Sequence, residues 1–106
     1  MMNFEKLIDR PVLCRSNESG VWFGKLVSAE KVEATGGWNV MLASAAKVHE
    51  WEGAAATSGL AVRGPGDGSR ICPDVDTAAV KDCCEVLLAS QPAIDRFNQI
   101  ERWDFK

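Results

Sequence analysis

The fold is decided by residues 11–30, which read PVLCRSNESGVWFGKLVSAE. Two apolar runs lie on either side of the tetrapeptide NESG (17–20), in which Asn tolerates turn geometry and Gly supplies a positive φ. Val12 and Cys14 share one face of the first run, and the second run is rich in β-branched and aromatic residues. Two such runs around a short polar turn predict a β-hairpin.

The chain beyond the hairpin continues in strand-like segments. A third strand is predicted by WNVMLASA (38–45) and a fourth by AKVHEW (46–51). Gly53 then breaks the strand pattern, and the small residues of 54–61 have the spacing of a short helix. The N-terminal half therefore predicts an antiparallel meander that ends at a short helix.

The C-terminal part contains one clear helix signal and one ambiguous segment. Ser90 is a good N-cap and Pro92 suits a first turn, so residues 90–103 predict a helix. Residues 79–89 alternate as a strand does, but they also fit the i, i+3, i+4, i+7, i+8 pattern of an amphipathic helix. The periodicity by itself favours the helix. The residues of that pattern are Val80, Cys83, Cys84, Leu87 and Leu88.

Composition and charge exclude several classes of function. The formal net charge is -3, and no basic stripe is present, so we expect no direct sequence-specific binding of nucleic acid. No apolar run approaches the roughly 18 residues that a membrane-spanning helix needs, so we expect no membrane contact. The charged N-terminus has no signal-peptide core, which favours a cytoplasmic location.

The sequence shows no arrangement of residues for catalysis. His49 is the single histidine, and we expect the side chain of its neighbour Glu50 on the opposite face of the strand, out of reach. The four cysteines lack the paired spacing of a zinc site, and we expect them to be reduced, structural thiols. We therefore predict a protein that is not an enzyme and that uses no metal and no cofactor.

The best candidate binding residues surround the junction between the fourth strand and the short helix. Gly53 precedes a helix start, where free backbone N–H groups favour anions, while the small residues there equally suit a tightly packed corner. Trp22 is the tryptophan that we expect nearest the surface, where this residue type is enriched at binding hot spots. The candidates are Trp22, His49, Trp51, Glu52, Gly53, Thr57 and Ser58.

Three stretches resemble a family of small phage and prophage proteins classed as a domain of unknown function. They are GVWFGKLVSAE (20–30), AKVHEWEGAAATSGLAVRG (46–64) and CEVLLASQPAIDRF (84–97). The family signature is a strand, a W-x-G-A motif, a short helix and an L-A-x-x-G motif, which fall here at 51–54 and 60–64. His49 departs from the family, which has an aromatic residue there. The resemblance implies that the ambiguous segment is a strand, against its periodicity.

Together these elements predict an α+β fold in one domain. We expect a small antiparallel β-meander, or partly closed barrel, of about five strands, with short helices that include a C-terminal helix. The 106 residues are enough for one hydrophobic core. The predicted units are an N-terminal helical extension (1–10), a β-rich core (11–89) with a short helix at 54–61, and the C-terminal helix (90–103).

The resemblance also implies that the protein acts against the defence systems of a bacterial host. We expect a phage-encoded, non-enzymatic binding protein that inhibits a host defence complex, such as CRISPR–Cas, by protein–protein contact. Its partner would be a host or phage protein complex in the cytoplasm of the bacterial host, and a homo-oligomer is a further expectation. Two alternatives are a sponge that sequesters a nucleotide signal and a minor virion or assembly component.

Overall fold

The computed structural model describes residues 4–54 and 56–103, which form five strands and two helices. The predicted extension at 1–10 and helix at 54–61 include residues 1–3 and 55, which lie outside the described residues. Residues 4–10 form turns that lead into the first strand. The strands are β1 (Pro11–Ser16), β2 (Gly20–Lys31), β3 (Trp38–Glu50), β4 (Arg70–Ile71) and β5 (Val75–Leu88), and the helices are α1 (Thr57–Arg63) and α2 (Gln91–Gln99).

The five strands form one antiparallel sheet in the order β2-β1-β5-β3-β4. An additional pairing of β2 with β3 joins the two sides of this sheet, so that β1, β2, β3 and β5 make a ring. The predicted α+β fold, with about five antiparallel strands and short helices, is confirmed.

The predicted hairpin is the β1–β2 pair, in which Ser16 lies opposite Gly20. The Ser16 hydroxyl accepts hydrogen bonds from the backbone N–H groups of Glu18 (3.3 Å) and Ser19 (3.1 Å). It also donates to the carbonyl of Lys81 at 2.6 Å. This buried serine therefore fixes the turn and ties it to β5.

The predicted third and fourth strands are one strand, β3, and the division between them was wrong. Ser44 has φ = 50° at a point where the pairing with β2 shifts register. The bulge bends the strand and shifts the alternation of faces, so that Leu42 and Ala45, three residues apart, face the same buried cluster while Ala46 faces the other. A bend takes the place of the expected turn.

Residues 79–89 lie almost wholly in β5, so the strand implied by the resemblance is confirmed and the helix favoured by periodicity is wrong. The first half of β5 pairs with β3, and its second half pairs with β1. Asp82, with φ = 52°, lies where one partner gives way to the other. The backbone N–H and C=O groups of β5 form their hydrogen bonds with the two neighbouring strands. This pairing outweighs the preference for a helix that the spacing of the apolar residues indicates.

Strand β1 separates two clusters of buried side chains. Leu13 faces a cluster that includes both helices, where Phe97 of α2 stacks on Phe23 of β2 with ring centroids 4.1 Å apart. Val12 and Cys14 face the other cluster, inside the ring. Helix α2 ends at Gln99, and no helix among the described residues is long and apolar enough to cross a membrane.

Candidate functional site

The junction between β3 and α1 is a corner built by close contact between two loops. Gly53 has φ = 81°, and a Cβ placed on it would lie 3.2 Å from the Cα of Gly66. The carbonyl of Glu52 accepts a 2.7 Å hydrogen bond from the N–H of Gly66, and the N–H of Glu52 donates to the Ser69 hydroxyl at 2.9 Å. The positive φ therefore favours glycine at position 53, and a Cβ on Gly66 would lie only 2.8 Å from the Glu52 carbonyl oxygen.

Trp51 closes this corner from the inside. Its half-buried ring packs against the cluster that contains the helices. Its indole N–H donates a 3.2 Å hydrogen bond to the carbonyl of Ala54. The predicted binding residue thus has a structural role that holds the start of the helix in place.

Helix α1 has one buried face and one exposed face. Thr57, Leu60 and Ala61 are buried. Val62 lies outside this face, and it is 62% exposed, more than any other large hydrophobic residue among those described. A side chain of this kind contributes nothing to the core, so the helix presents an apolar group to the solvent.

A shallow surface depression of about 340 Å³ lies along the exposed face of α1. Small side chains make most of its lining, and a Cβ on Gly59 would lie only 3.0 Å from that of Ala54. Because these residues are small, another backbone can approach the helix closely. We call this depression the α1 groove; its lining residues are Ala54, Ala56, Ser58, Gly59, Val62 and Arg63.

Arg63 is the one charged residue among the described residues that line the α1 groove. Its exposed side chain makes no ion pair or hydrogen bond within the described part of the chain. Arg96, on the neighbouring helix, is by contrast held by the Pro65 carbonyl at 2.7 Å and by the Asp67 carboxylate. The groove therefore offers an apolar surface beside one uncompensated cation.

The C-terminal end of α1 is fixed to the start of α2. Ser90 caps α2 by accepting from the N–H of Ala93, and its hydroxyl donates to the Val62 carbonyl at 2.6 Å. The N–H of Ser90 also donates to the Ala61 carbonyl at 2.8 Å. These contacts hold Val62 in position on a rigid support.

The seven predicted binding residues do not form one site. Ser58 lines the α1 groove, whereas Thr57 faces the core and Glu52 and Gly53 contact the loop at 65–69. Helix α1 has seven residues, and its N-cap Ala56 provides no side-chain hydrogen bond. The structure therefore brings only one predicted residue into the groove.

Trp22 lies in β2, opposite Lys47 and Cys14 in the sheet, and away from the α1 groove. Its half-buried ring packs against the cluster inside the ring of strands, and its indole N–H donates to the Ser19 carbonyl at 2.9 Å. The contacts that it makes stabilise the hairpin.

His49 takes part in a stack that the sequence did not predict. Its ring lies against that of Trp103, with centroids 4.9 Å apart, and the Arg70 guanidinium is 4.8 Å from the Trp103 ring centroid. The expectation that His49 and Glu50 are out of reach was wrong, because Nε2 and Oε1 are 3.9 Å apart. The pairing of β3 with β4 shifts register at this point, which breaks the alternation of faces.

The buried thiols Cys14 and Cys83 form a hydrogen bond with each other, and this bond lowers the pKa of Cys83. All four cysteines are free. A hydrogen bond with the Cys83 thiol, followed by burial, raises the pKa of the Cys14 thiol well above its usual range, which keeps it protonated. The described residues contain no cluster of three or more His, Cys, Asp or Glu side chains that could hold a metal ion.

Val62 and Arg63 are the site residues that sequence reasoning missed. A helical projection contains the signal: once Leu60 and Ala61 face the core, Val62 falls on the opposite side. The run of small residues predicted a site at the start of the helix, whereas the exposed side chain of Val62 lies near its end.

Comparison with known proteins gives one match. The model of a domain of unknown function, DUF6948, matches residues 9–97. This range includes the whole ring of strands, the α1 groove and most of α2. No curated protein and no solved structure matches the chain.

Proposed function

Because the chain belongs to the DUF6948 family, a domain of unknown function, we propose its function from its own geometry. It is a non-enzymatic binding protein that acts by protein–protein contact through the α1 groove. The observation that supports this proposal is Val62, 62% exposed on a helix whose other large apolar residue is buried. Beside a row of small residues, this exposed side chain gives a partner an apolar surface to bury.

The lining of the groove defines the chemistry of the partner. Small residues let a partner segment approach the helix, and Val62 offers an apolar contact. Arg63 is an uncompensated cation, so a carboxylate on the partner would form a charge-assisted hydrogen bond with it. The partner segment therefore carries an apolar side chain next to an acidic one.

The identity of the partner follows from the sequence resemblance alone. The proposal is that a phage or prophage encodes the chain and that the partner belongs to a host defence complex, such as CRISPR–Cas. Occupation of a surface on that complex would block its action without any covalent chemistry.

The test measures phage plating on a bacterial strain with an active CRISPR–Cas system that targets the phage. Expression of the wild-type chain should restore plating. Val62→Glu should reduce that effect about tenfold or more, since a buried charge at an interface anchor costs more than about 1.4 kcal/mol. Val27→Glu is the matched control, because Val27 is also exposed, at 45%, but lies in β2.

The purified components provide the direct measurement. The wild-type chain should bind the isolated defence complex in calorimetry, and Arg63→Glu should weaken binding more than Arg63→Lys. If wild type and Val62→Glu restore phage plating equally, the α1 groove is not the binding surface. If the wild-type chain does not restore plating, the defence complex is not the target. A rise in Tm with a nucleotide would favour the sponge, and presence of the chain in purified particles would favour the virion component.

A further inference from the structure

A second exposed surface lies on the outer face of the sheet, at the part where β3 pairs with both β2 and β5. Met41, 36% exposed, lies at its centre. In the sheet register, Ser28 of β2 lies opposite Met41 on one side and Ala79 of β5 on the other. Both neighbours are small and exposed, so the methionine side chain projects beyond them on this face.

Two opposite charges flank this surface in the adjacent row. Glu30 of β2 lies opposite Asn39 of β3. On the other side of β3 the register with β5 shifts between Trp38 and Val40, and Lys81, which follows Val80 in β5, lies at this shift. Glu30 and Lys81 line the same shallow depression of about 210 Å³ as Met41.

The charges of Glu30 and Lys81 are uncompensated. Both side chains are exposed, and neither forms an ion pair or hydrogen bond within residues 4–54 and 56–103. One strand separates them, which is roughly 10 Å at the usual spacing between strands. The surface thus carries a negative charge on one side of β3 and a positive charge on the other.

We propose that a second copy of this chain binds this surface face to face, related by a two-fold axis that runs parallel to β3 near Met41. Rotation about this axis places β2 of each copy over β5 of the other. Two equivalent Glu30–Lys81 pairs then form, because Glu30 of each protomer faces the partner's Lys81. The two Met41 side chains meet at the centre. A surface with this arrangement is complementary to itself, which is what a two-fold interface requires.

The size of the surface sets the strength of this dimer. Three strands of about six residues cover roughly 300 Å² on each protomer at standard strand dimensions. This is well below the area of a permanent interface, so the dimer is weak and transient. Because the ion pairs are at the surface, added salt weakens it.

Sedimentation equilibrium of the full chain with charge-exchange variants tests the proposal. Glu30→Lys alone and Lys81→Glu alone place like charges opposite each other, and each should raise the dimer dissociation constant at least about tenfold. The double variant E30K/K81E restores opposite charges and should dimerise as the wild type does. Glu18→Lys, a charge reversal in the β1–β2 turn, is the control and should leave dimerisation unchanged.

Mixing the two single variants gives the decisive measurement. In a mixed dimer each introduced charge faces an opposite charge on the other protomer, so a 1:1 mixture should dimerise although neither variant does alone. Circular dichroism should show that both variants are folded, because both sites are exposed. A wild-type chain that stays monomeric at 1 mM, or a mixture that stays monomeric, would overturn the proposal.

Discussion

Gly64 and Arg96 approach so closely that a Cβ on Gly64 would lie 2.7 Å from the Cβ of Arg96. The same added atom would lie 3.2 Å from the Cα of Ala93, on the first turn of α2. Helix α1 thus ends where α2 leaves no room for a side chain. The position of the α1 groove relative to the rest of the fold depends on this contact.

Gly64→Ala should therefore destabilise the protein by both backbone strain and overlap. The combination of φ = 77° and ψ = 179° is essentially limited to glycine and costs about 1–3 kcal/mol for alanine, and the overlap adds about 1–3 kcal/mol. Gly36→Ala is a matched control, because Gly36 has the same φ of 77° but no described atom within 4 Å of the added Cβ. Urea unfolding should show the larger loss for Gly64→Ala, and equal losses would contradict the packing argument.

Ser90→Ala should lower the free energy of unfolding by about 1–2 kcal/mol. The substitution removes the cap of α2 and the hydrogen bond to the Val62 carbonyl. Ser58→Ala, on the exposed face of α1, is the control and should change stability by less than about 0.5 kcal/mol. Amide exchange should also be faster at Ala93 in the Ser90 variant, and unchanged exchange there would argue against the cap.

Stability should fall as the pH rises above about 9 because of Cys14. The raised pKa keeps this thiol protonated in the folded chain, while the unfolded chain releases the proton. The contribution of Cys14 to the free energy of unfolding is fully present at pH values below the pKa of this thiol in the unfolded chain. Above that pKa it decreases by up to about 1.4 kcal/mol per pH unit. Urea midpoints at about pH 9 and pH 11 should differ less in the double variant C14A/C83A, which removes both hydrogen-bonded thiols, than in wild type. Cys84→Ala, at an exposed position, should retain the wild-type pH dependence.

Arg102→Ala should destabilise the end of α2 and the segment that follows. The guanidinium donates to the carbonyls of Phe97 (2.7 Å) and Ile100 (3.1 Å) and to the Asp74 carboxylate (2.9 Å). Loss of these bonds should cost about 1–3 kcal/mol in thermal unfolding. Arg63→Ala removes an arginine without such partners among the described residues and should have little effect on stability. A similar Tm for both variants would contradict this role.

The β-hairpin and the C-terminal helix could be predicted from the sequence because their signals are local. Residues 17–20 have turn chemistry, and Ser90 with Pro92 marks a helix start. In the structure Ser90 is the N-cap of α2, and β1 pairs with β2 across that turn. Signals of this kind act between residues that are close in the chain, so no tertiary contact is needed to read them.

The candidate site could be predicted only in part. The sequence indicated the corner at Gly53 and the short helix, but it could not tell which residues of that corner remain exposed. Trp51 and Thr57 are directed inward by packing against the helices, whereas Val62 is left outside. The burial of a side chain depends on what lies across from it, and that partner comes from distant parts of the chain.

The sequence by itself determined the antiparallel β-rich class of the fold, the first hairpin and the start of α2, because alternation, turn residues and caps specify backbone conformation locally. Only the tertiary structure decided that β5 is a strand, since its spacing suits either form and its two partners, β1 and β3, supply the hydrogen bonds. The tertiary structure likewise placed Trp103 against His49 and left Val62 and Met41 on the surface. These outcomes depend on which segments meet, and long-range pairing with burial outweighs local preference where the two differ.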